Sequence, residues 1–208
     1  MRGFDYFVEK IPPNIHSRTR AIFSKHVAVF LPDSYVVARK MDVEEYHFVI
    51  CFETPPSATI NGREYQFKKG SLICLAPGDD ILVHPARRQD LAGYMTICVL
   101  PEFMRGVYLE LGGEGKLEFS APNNRYSHFL LEALDALIHE VLRYGDASPL
   151  MITSLENRVA IQLLRDARSE FSESKHHQHV QENVERAIKY IETYYSSNIS
   201  ITDICKSI

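Results

Sequence analysis

ATINGREYQFKKGSLICLAPGD, residues 58–79, decides the architecture of the first half of this 208-residue chain. Asn61-Gly62 is the pair a two-residue β-hairpin demands, because both central positions of its turn take positive φ. It separates Ala58-Thr59-Ile60 from Glu64–Phe67. Lys69-Gly70 then turns into the apolar run Ser71–Leu75, and Pro77-Gly78-Asp79 turns again into Ile81–His84. Short apolar runs punctuated by Gly, Pro, Asn and Asp predict all-β structure.

The same rhythm extends outward. Val27–Leu31 ends at Pro32-Asp33, Tyr46–Phe52 ends at Thr54-Pro55-Pro56, and Tyr94–Leu100 closes the set. Parallel strands would need helical crossovers, and none is written between these runs. Six or seven short strands at near-regular spacing therefore predict a small sandwich or barrel. Alternation puts Tyr46, Phe48, Ile50 and Phe52 on one face and Glu45, His47, Val49 and Cys51 on the other. Both sets are largely apolar in the middle, so either could face inward.

After residue 125 the period becomes helical. Leu130, Leu134, Leu137 and Val141 recur at spacings of four, three and four. Gly145 ends that helix, and Ser148-Pro149 opens a second, with Ile152, Leu155, Val159 and Leu163 on its stripe. Two helices joined by so short a loop run antiparallel. Their apolar surface suits either the outside of the barrel or a second copy of the same hairpin. The candidate pairing residues are Leu130, Leu134, Leu137, Val141 and Leu155. Residues 169–181, SEFSESKHHQHVQ, are polar and aperiodic and read as a linker. Val184, Ile188, Ile191 and Tyr195 then mark a third helix, and Ser200-x-x-Asp203 is a capping box that starts a fourth. A sequence that stops about two turns into a capped helix looks truncated.

Composition narrows the function. The chain carries 23 basic and 27 acidic residues, net −4, which argues against a domain built wholly to grip a polyanion. No apolar run reaches the ~18 residues of a membrane span, and the N-terminus lacks a signal-peptide block. Cys51, Cys74 and Cys98 sit in strand-like apolar runs, and no CxxC pair exists. A reduced, cytoplasmic protein is expected.

Taken in order, three stretches resemble the AraC family of bacterial transcription regulators. They are INGREYQFKKGSLICLAPGD (60–79), LENRVAIQLLRDA (155–167) and NVERAIKYIETYYSSNISITDICKSI (183–208). The resemblance implies an α+β fold. A cupin-like double-stranded β-helix barrel, residues 1–125, binds a small-molecule effector. An antiparallel helix pair, 126–168, joins two subunits in a homodimer. The linker 169–181 leads to the first helices of a truncated helix-turn-helix domain, 182–208. In such a family DNA is the partner of the full-length parent, each unit placing a recognition helix in the major groove. These 208 residues hold no recognition helix. From Gln181 onward, Arg186, Lys189 and Lys206 face Glu182, Glu185, Glu192 and Asp203. Sequence-specific DNA binding is thus not expected of this chain by itself. The N-terminal arm with Pro12-Pro13 folds over the barrel mouth in some relatives, which makes it a candidate cover here.

The candidate effector contacts are Arg39, His47, Tyr65, His84 and Tyr94, each a hydrogen-bond donor in or beside a strand. Arg39 ranks first, because a strand arginine could pair with a carboxylate or sugar hydroxyls. The alternative is a cupin-type small-molecule binding protein or a metal-dependent cupin enzyme. A metallo-cupin needs two histidines two apart, a glutamate and a later histidine. His47 has Glu45 and Val49 at those offsets, and only His47, Glu53 and His84 remain conceivable. No catalytic residue, metal site or cofactor is expected. His176-His177-Gln178-His179 lies in the polar linker and reads as solvated. Gly112–Lys116 lacks the first glycine and the hydroxyl of a phosphate loop.

Overall fold

The computed structural model describes residues 4–85, 93–167, 187–188, 190–191 and 200–207. The chain divides into two compact units, Met1–Ser169 and Glu170–Ile208. The linker, the histidine tract, Arg87-Arg88 and most of the third helix lie outside the described residues.

The first unit begins with two short helices, α1 (Asp5–Lys10) and α2 (Pro13–His16). Ten strands follow: β1 (Arg20–Phe23), β2 (Val27–Leu31), β3 (Lys40–Asp42), β4 (Tyr46–Cys51), β5 (Ala58–Ile60), β6 (Arg63–Tyr65), β7 (Ser71–Leu75), β8 (Asp80–Val83), β9 (Tyr94–Val99) and β10 (Asn123–Arg125). Helix α3 (Pro101–Glu110) precedes β10, and α4 (His128–Tyr144) and α5 (Pro149–Asp166) complete the unit.

The strands form a six-stranded sheet, ordered β1-β2-β9-β4-β7-β10, and a four-stranded sheet, ordered β3-β8-β5-β6. Every pairing is antiparallel. From β3 to β9 the chain passes back and forth between the sheets, with only the hairpin β5–β6 staying in one. That winding is a double-stranded β-helix, and with the helices it makes the fold α+β.

Local chemistry fixes the crossings. Asn61 and Gly62 both take positive φ, 49° and 76°, and close the hairpin at the pair Ile60↔Arg63. The Asn61 amide donates to Asp79 Oδ1 at 2.7 Å, and its carbonyl accepts from the Asp80 backbone at 2.9 Å. Asp79 Oδ2 in turn accepts from Ala76 N at 2.7 Å. The two turns that stand out in residues 58–79 are thus bonded to each other, which holds β5 in register with β8.

Helices α4 and α5 pack on one another, and α4 also reaches β1. The Ser127 hydroxyl caps α4 by accepting from Leu130 N. Asp166 at the end of α5 accepts from both the Ser127 N–H and its hydroxyl, at 2.7 and 2.9 Å. This bond ties the start of one helix to the end of the other, as an antiparallel pair requires. Leu130, Leu134 and Leu137 are fully buried inside the subunit, and Val141 and Leu155 are half-buried. The first three are therefore not on offer to a second copy. The exposed apolar side chains of the pair are Phe129, Leu142, Tyr144, Leu150 and Met151. Leu130, Leu134 and Leu137 of the helical stripe thus face the subunit's own core.

In the second unit, α6 (Ile201–Ser207) begins with the capping box read from the sequence. Asp203 N donates to Ser200 Oγ, while Asp203 Oδ2 accepts from Ser200 N at 3.0 Å. These bonds, with the Ser200 hydroxyl's, hold the Asp203 carboxyl below its ordinary value.

Candidate functional site

The inward face of β4 carries His47, Val49 and Cys51, and these three line a cavity inside the barrel. Tyr46 and Phe48, on the other face, meet the Phe119 ring at 5.9 and 5.5 Å. Because both faces are buried, the strand reads as apolar throughout.

The cavity measures about 90 Å³. The six-stranded sheet supplies Phe30, Ile73, Tyr94 and Thr96 besides the β4 residues, and the four-stranded sheet supplies Ala58, Ile81 and Val83. Phe7 of α1, Ile11 just after that helix and Ile15 of α2 form a further part of the wall. The three belong to one apolar cluster with Phe4, Ala28, Phe30 and Cys98, so the N-terminal helices are packed into the barrel. Among the described residues no Asp, Glu, Lys or Arg lines the cavity.

Its polar groups are few. His47 is buried, its ring meets Phe7 edge-on at 5.1 Å, and its Nδ1 lies 3.8 Å from Cys98 Sγ. Desolvation lowers the His47 pKa to about 4, so the imidazole is neutral at physiological pH. No buried side-chain nitrogen or oxygen among the described residues is without a hydrogen-bond partner. His47 Nε2, the Thr96 hydroxyl and the Tyr35 hydroxyl have no hydrogen-bond partner among the described residues, so each atom keeps some open surface, and all three residues line the cavity. Thr96 lies opposite Val49, and Cys98 opposite His47, on the β4–β9 pair. His47 and Thr96 are therefore diagonal neighbours on one face. Tyr35 and Tyr94 stack at 4.7 Å, and the Tyr94 hydroxyl donates to Ser34 O at 3.2 Å. Burial pushes the Tyr35 phenol up to about 12 and raises Tyr94 as well. It also pushes the Cys51 thiol up to about 12, which leaves it a small apolar group and not a nucleophile.

Of the five candidate contacts, the structure brings His47 and Tyr94 to the cavity. Arg39 is exposed just before β3, outside the lining. Tyr65 stacks on Phe67 at 6.2 Å and packs against the barrel core beside the cavity. The His84 Nε2 pairs with Thr59 Oγ1 at 2.8 Å. Nor do His47, Glu53 and His84 converge: Glu53 is bonded to Lys69 at 3.1 Å on the surface. Among the described residues no group of three or more His, Cys, Asp or Glu side chains could hold a metal ion. No described helix is long and apolar enough to cross a membrane. Thr96 and Tyr35 are lining residues that sequence reasoning missed. Thr96 was legible as the one aliphatic hydroxyl inside YMTICVL, residues 94–100.

No family model matches the chain, and no curated protein matches it. Solved structures do. The AraC-like transcriptional activator CuxR is similar at 12% identity over 98% of this chain and 79% of its own, with a TM-score of 0.40. ToxT from Vibrio cholerae is similar at 11% identity over 88% and 71%, TM-score 0.43. An RmlC-like cupin family protein with a double-stranded β-helix fold from Methanocaldococcus jannaschii is similar at 11% over 39% and 80%, TM-score 0.34. At such values the likeness carries nothing about ligand, partner or activity, and the double-stranded β-helix rests on the strand order of this chain itself.

Proposed function

We propose that this chain is the effector-sensing and pairing region of an AraC-type transcription regulator, with the effector held inside the barrel. The observation that carries the reading is the cavity: set between the two sheets, without a charged side chain among the described lining residues, and walled on one side by Phe7, Ile11 and Ile15. An enclosed apolar pocket with a few convergent polar groups is the form a small-molecule site takes. The family part rests on the three resembling stretches, 60–79, 155–167 and 183–208.

Occupancy acts through what it contacts. The ligand touches α1 and α2 as well as the sheets, so it biases their packing to the extent that it binds one arrangement more tightly than another. The second copy pairs through the exposed end of the helical hairpin, where Leu142, Tyr144, Leu150 and Met151 lie uncovered. DNA is contacted by the complete helix-turn-helix domain, and the 208 residues alone do not bind it sequence-specifically. The protein works in the cytoplasm, where its free thiols stay reduced.

A thermal-shift screen of neutral aromatics, organic acids and sugars tests the sensing role. A true effector at a hundred times its dissociation constant adds about 2.7 kcal/mol to the folded state. A screen that yields no stabilising compound of any class contradicts the sensing role. A saturable, sequence-specific gel shift by these 208 residues contradicts the DNA assignment.

A further inference from the structure

The size and polarity of the cavity select among chemical classes. About 90 Å³ is several times the ~10–15 Å³ one water needs, and far below the ~300–1,000 Å³ of sites for extended ligands. One ring fits. A sugar would bury a hydroxyl on nearly every carbon against only three open polar side chains among the described lining residues, His47, Thr96 and Tyr35, and each unmatched hydroxyl costs free energy. An ionised carboxylate would meet no cation among the described lining residues, and burying an unpaired charge costs more still.

Two of these groups, His47 and Thr96, are neighbours on one face and specify the rest. His47 faces Cys98 with Nδ1, so Nε2 is left for a ligand. Either tautomer of the neutral ring is compatible with that contact, so Nε2 donates in one and accepts in the other. A hydroxyl satisfies both, since it can donate and accept, and the Thr96 hydroxyl beside it does the same. The surrounding rings of Phe7, Phe30, Tyr35 and Tyr94 suit a flat, apolar body.

We infer that the cavity takes an uncharged single-ring compound with one hydroxyl, a phenol or cyclic alcohol, whose hydroxyl sits between His47 Nε2 and Thr96 Oγ1. This rests on the effector reading and narrows it to one ligand class.

Calorimetric titration of the 208-residue chain near pH 7 tests it, with p-cresol, toluene, benzoate and arabinose as probes. p-Cresol binds saturably, about three- to ten-fold tighter than toluene, the worth of one added hydrogen bond. Benzoate and arabinose bind at least about 30-fold more weakly than p-cresol. Thr96→Val and His47→Phe each reduce the preference for p-cresol over toluene, while retained toluene binding shows that each variant is folded. Benzoate or arabinose binding as tightly as p-cresol overturns the ligand class and leaves the effector reading standing. Failure of both p-cresol and toluene to bind also overturns the class. The effector reading itself falls only if the wider screen finds no ligand either.

Discussion

Glu156 of α5 holds His26 of the β1–β2 turn at 2.7 Å, carboxylate Oε2 to imidazole Nδ1, with the glutamate wholly buried. Its other oxygen, Oε1, accepts from Ser24 Oγ and from the His26 backbone N–H, each at 2.6 Å. The far side of the imidazole stacks on Phe103 of α3 at 4.4 Å, with the planes only 7° apart. One carboxylate thus bonds the helical pair to the barrel, and its partner extends the contact to a third helix. Removing it takes the acceptor from three groups, the Ser24 hydroxyl, the His26 N–H and the His26 imidazole, at a part-buried site. Glu156→Ala is expected to cost about 3–5 kcal/mol, and Glu156→Gln less, because the amide oxygen still accepts at Oε1. Urea unfolding measures both. A loss below about 1 kcal/mol for the alanine variant contradicts this role.

His47 gives the protein a pH dependence with a definite sign. Its pKa is about 4 in the fold and 6.5 in a solvated chain, so between those values the unfolded state binds more protons. Stability from this group is fully present above about pH 6.5 and falls as the pH drops toward about 4. The total is on the order of 3 kcal/mol. Urea midpoints of the parent and of His47→Phe, compared across that window, test it. The parent should lose stability on acidification faster than the variant, and parallel curves contradict the assignment.

Phe7 ties α1 to the barrel by ring contacts to Phe30 at 4.8 Å and His47 at 5.1 Å. Phe7→Ala is expected to lose about 3–5 kcal/mol and to enlarge the cavity on its N-terminal side. The enlarged site should admit 2-naphthol, a two-ring compound too large for the parent cavity. Calorimetry on both proteins decides. Equal binding of 2-naphthol by both places the ligand away from the Phe7 wall.

The helical hairpin separates two effects that the sequence pattern merges. Leu134 is buried within the subunit, so Leu134→Ala should destabilise the fold by about 2–5 kcal/mol. Leu150 is 85% exposed, so Leu150→Glu should leave the unfolding midpoint within about 0.5 kcal/mol of the parent while weakening pairing. Sedimentation velocity reports the second effect. An unchanged oligomeric state in Leu150→Glu combined with Met151→Glu removes this end of the hairpin as the pairing face.

Much of the architecture was legible before any coordinates. The turns at Asn61-Gly62 and Pro77-Gly78 carry backbone requirements that few residues meet, and they mark strand ends reliably. Strands β1, β3 and β10 escaped because they are three or four residues long and mixed in polarity. Helix α3 escaped because the run Pro101–Glu110 directly follows a strand and buries only Met104 and Val107. The site was harder to read. Periodicity could not say which face of β4 looks inward, because Phe119 packs on one side and the cavity occupies the other. Arg39 drew attention by its charge, yet no charged residue is among the described residues that line the cavity. Glu156 left a trace, a carboxylate four residues after Ile152 and three before Val159 on the apolar stripe. Its partners, 130 and 132 residues away in sequence, left none.

The most direct test of the account follows the His47 side-chain nitrogens by NMR at about pH 6 while p-cresol is added. The account predicts a neutral ring throughout and a saturable shift confined mainly to Nε2, with Nδ1 held by Cys98. A protonated ring at that pH, or an Nε2 signal unmoved when the protein is saturated with p-cresol, contradicts it.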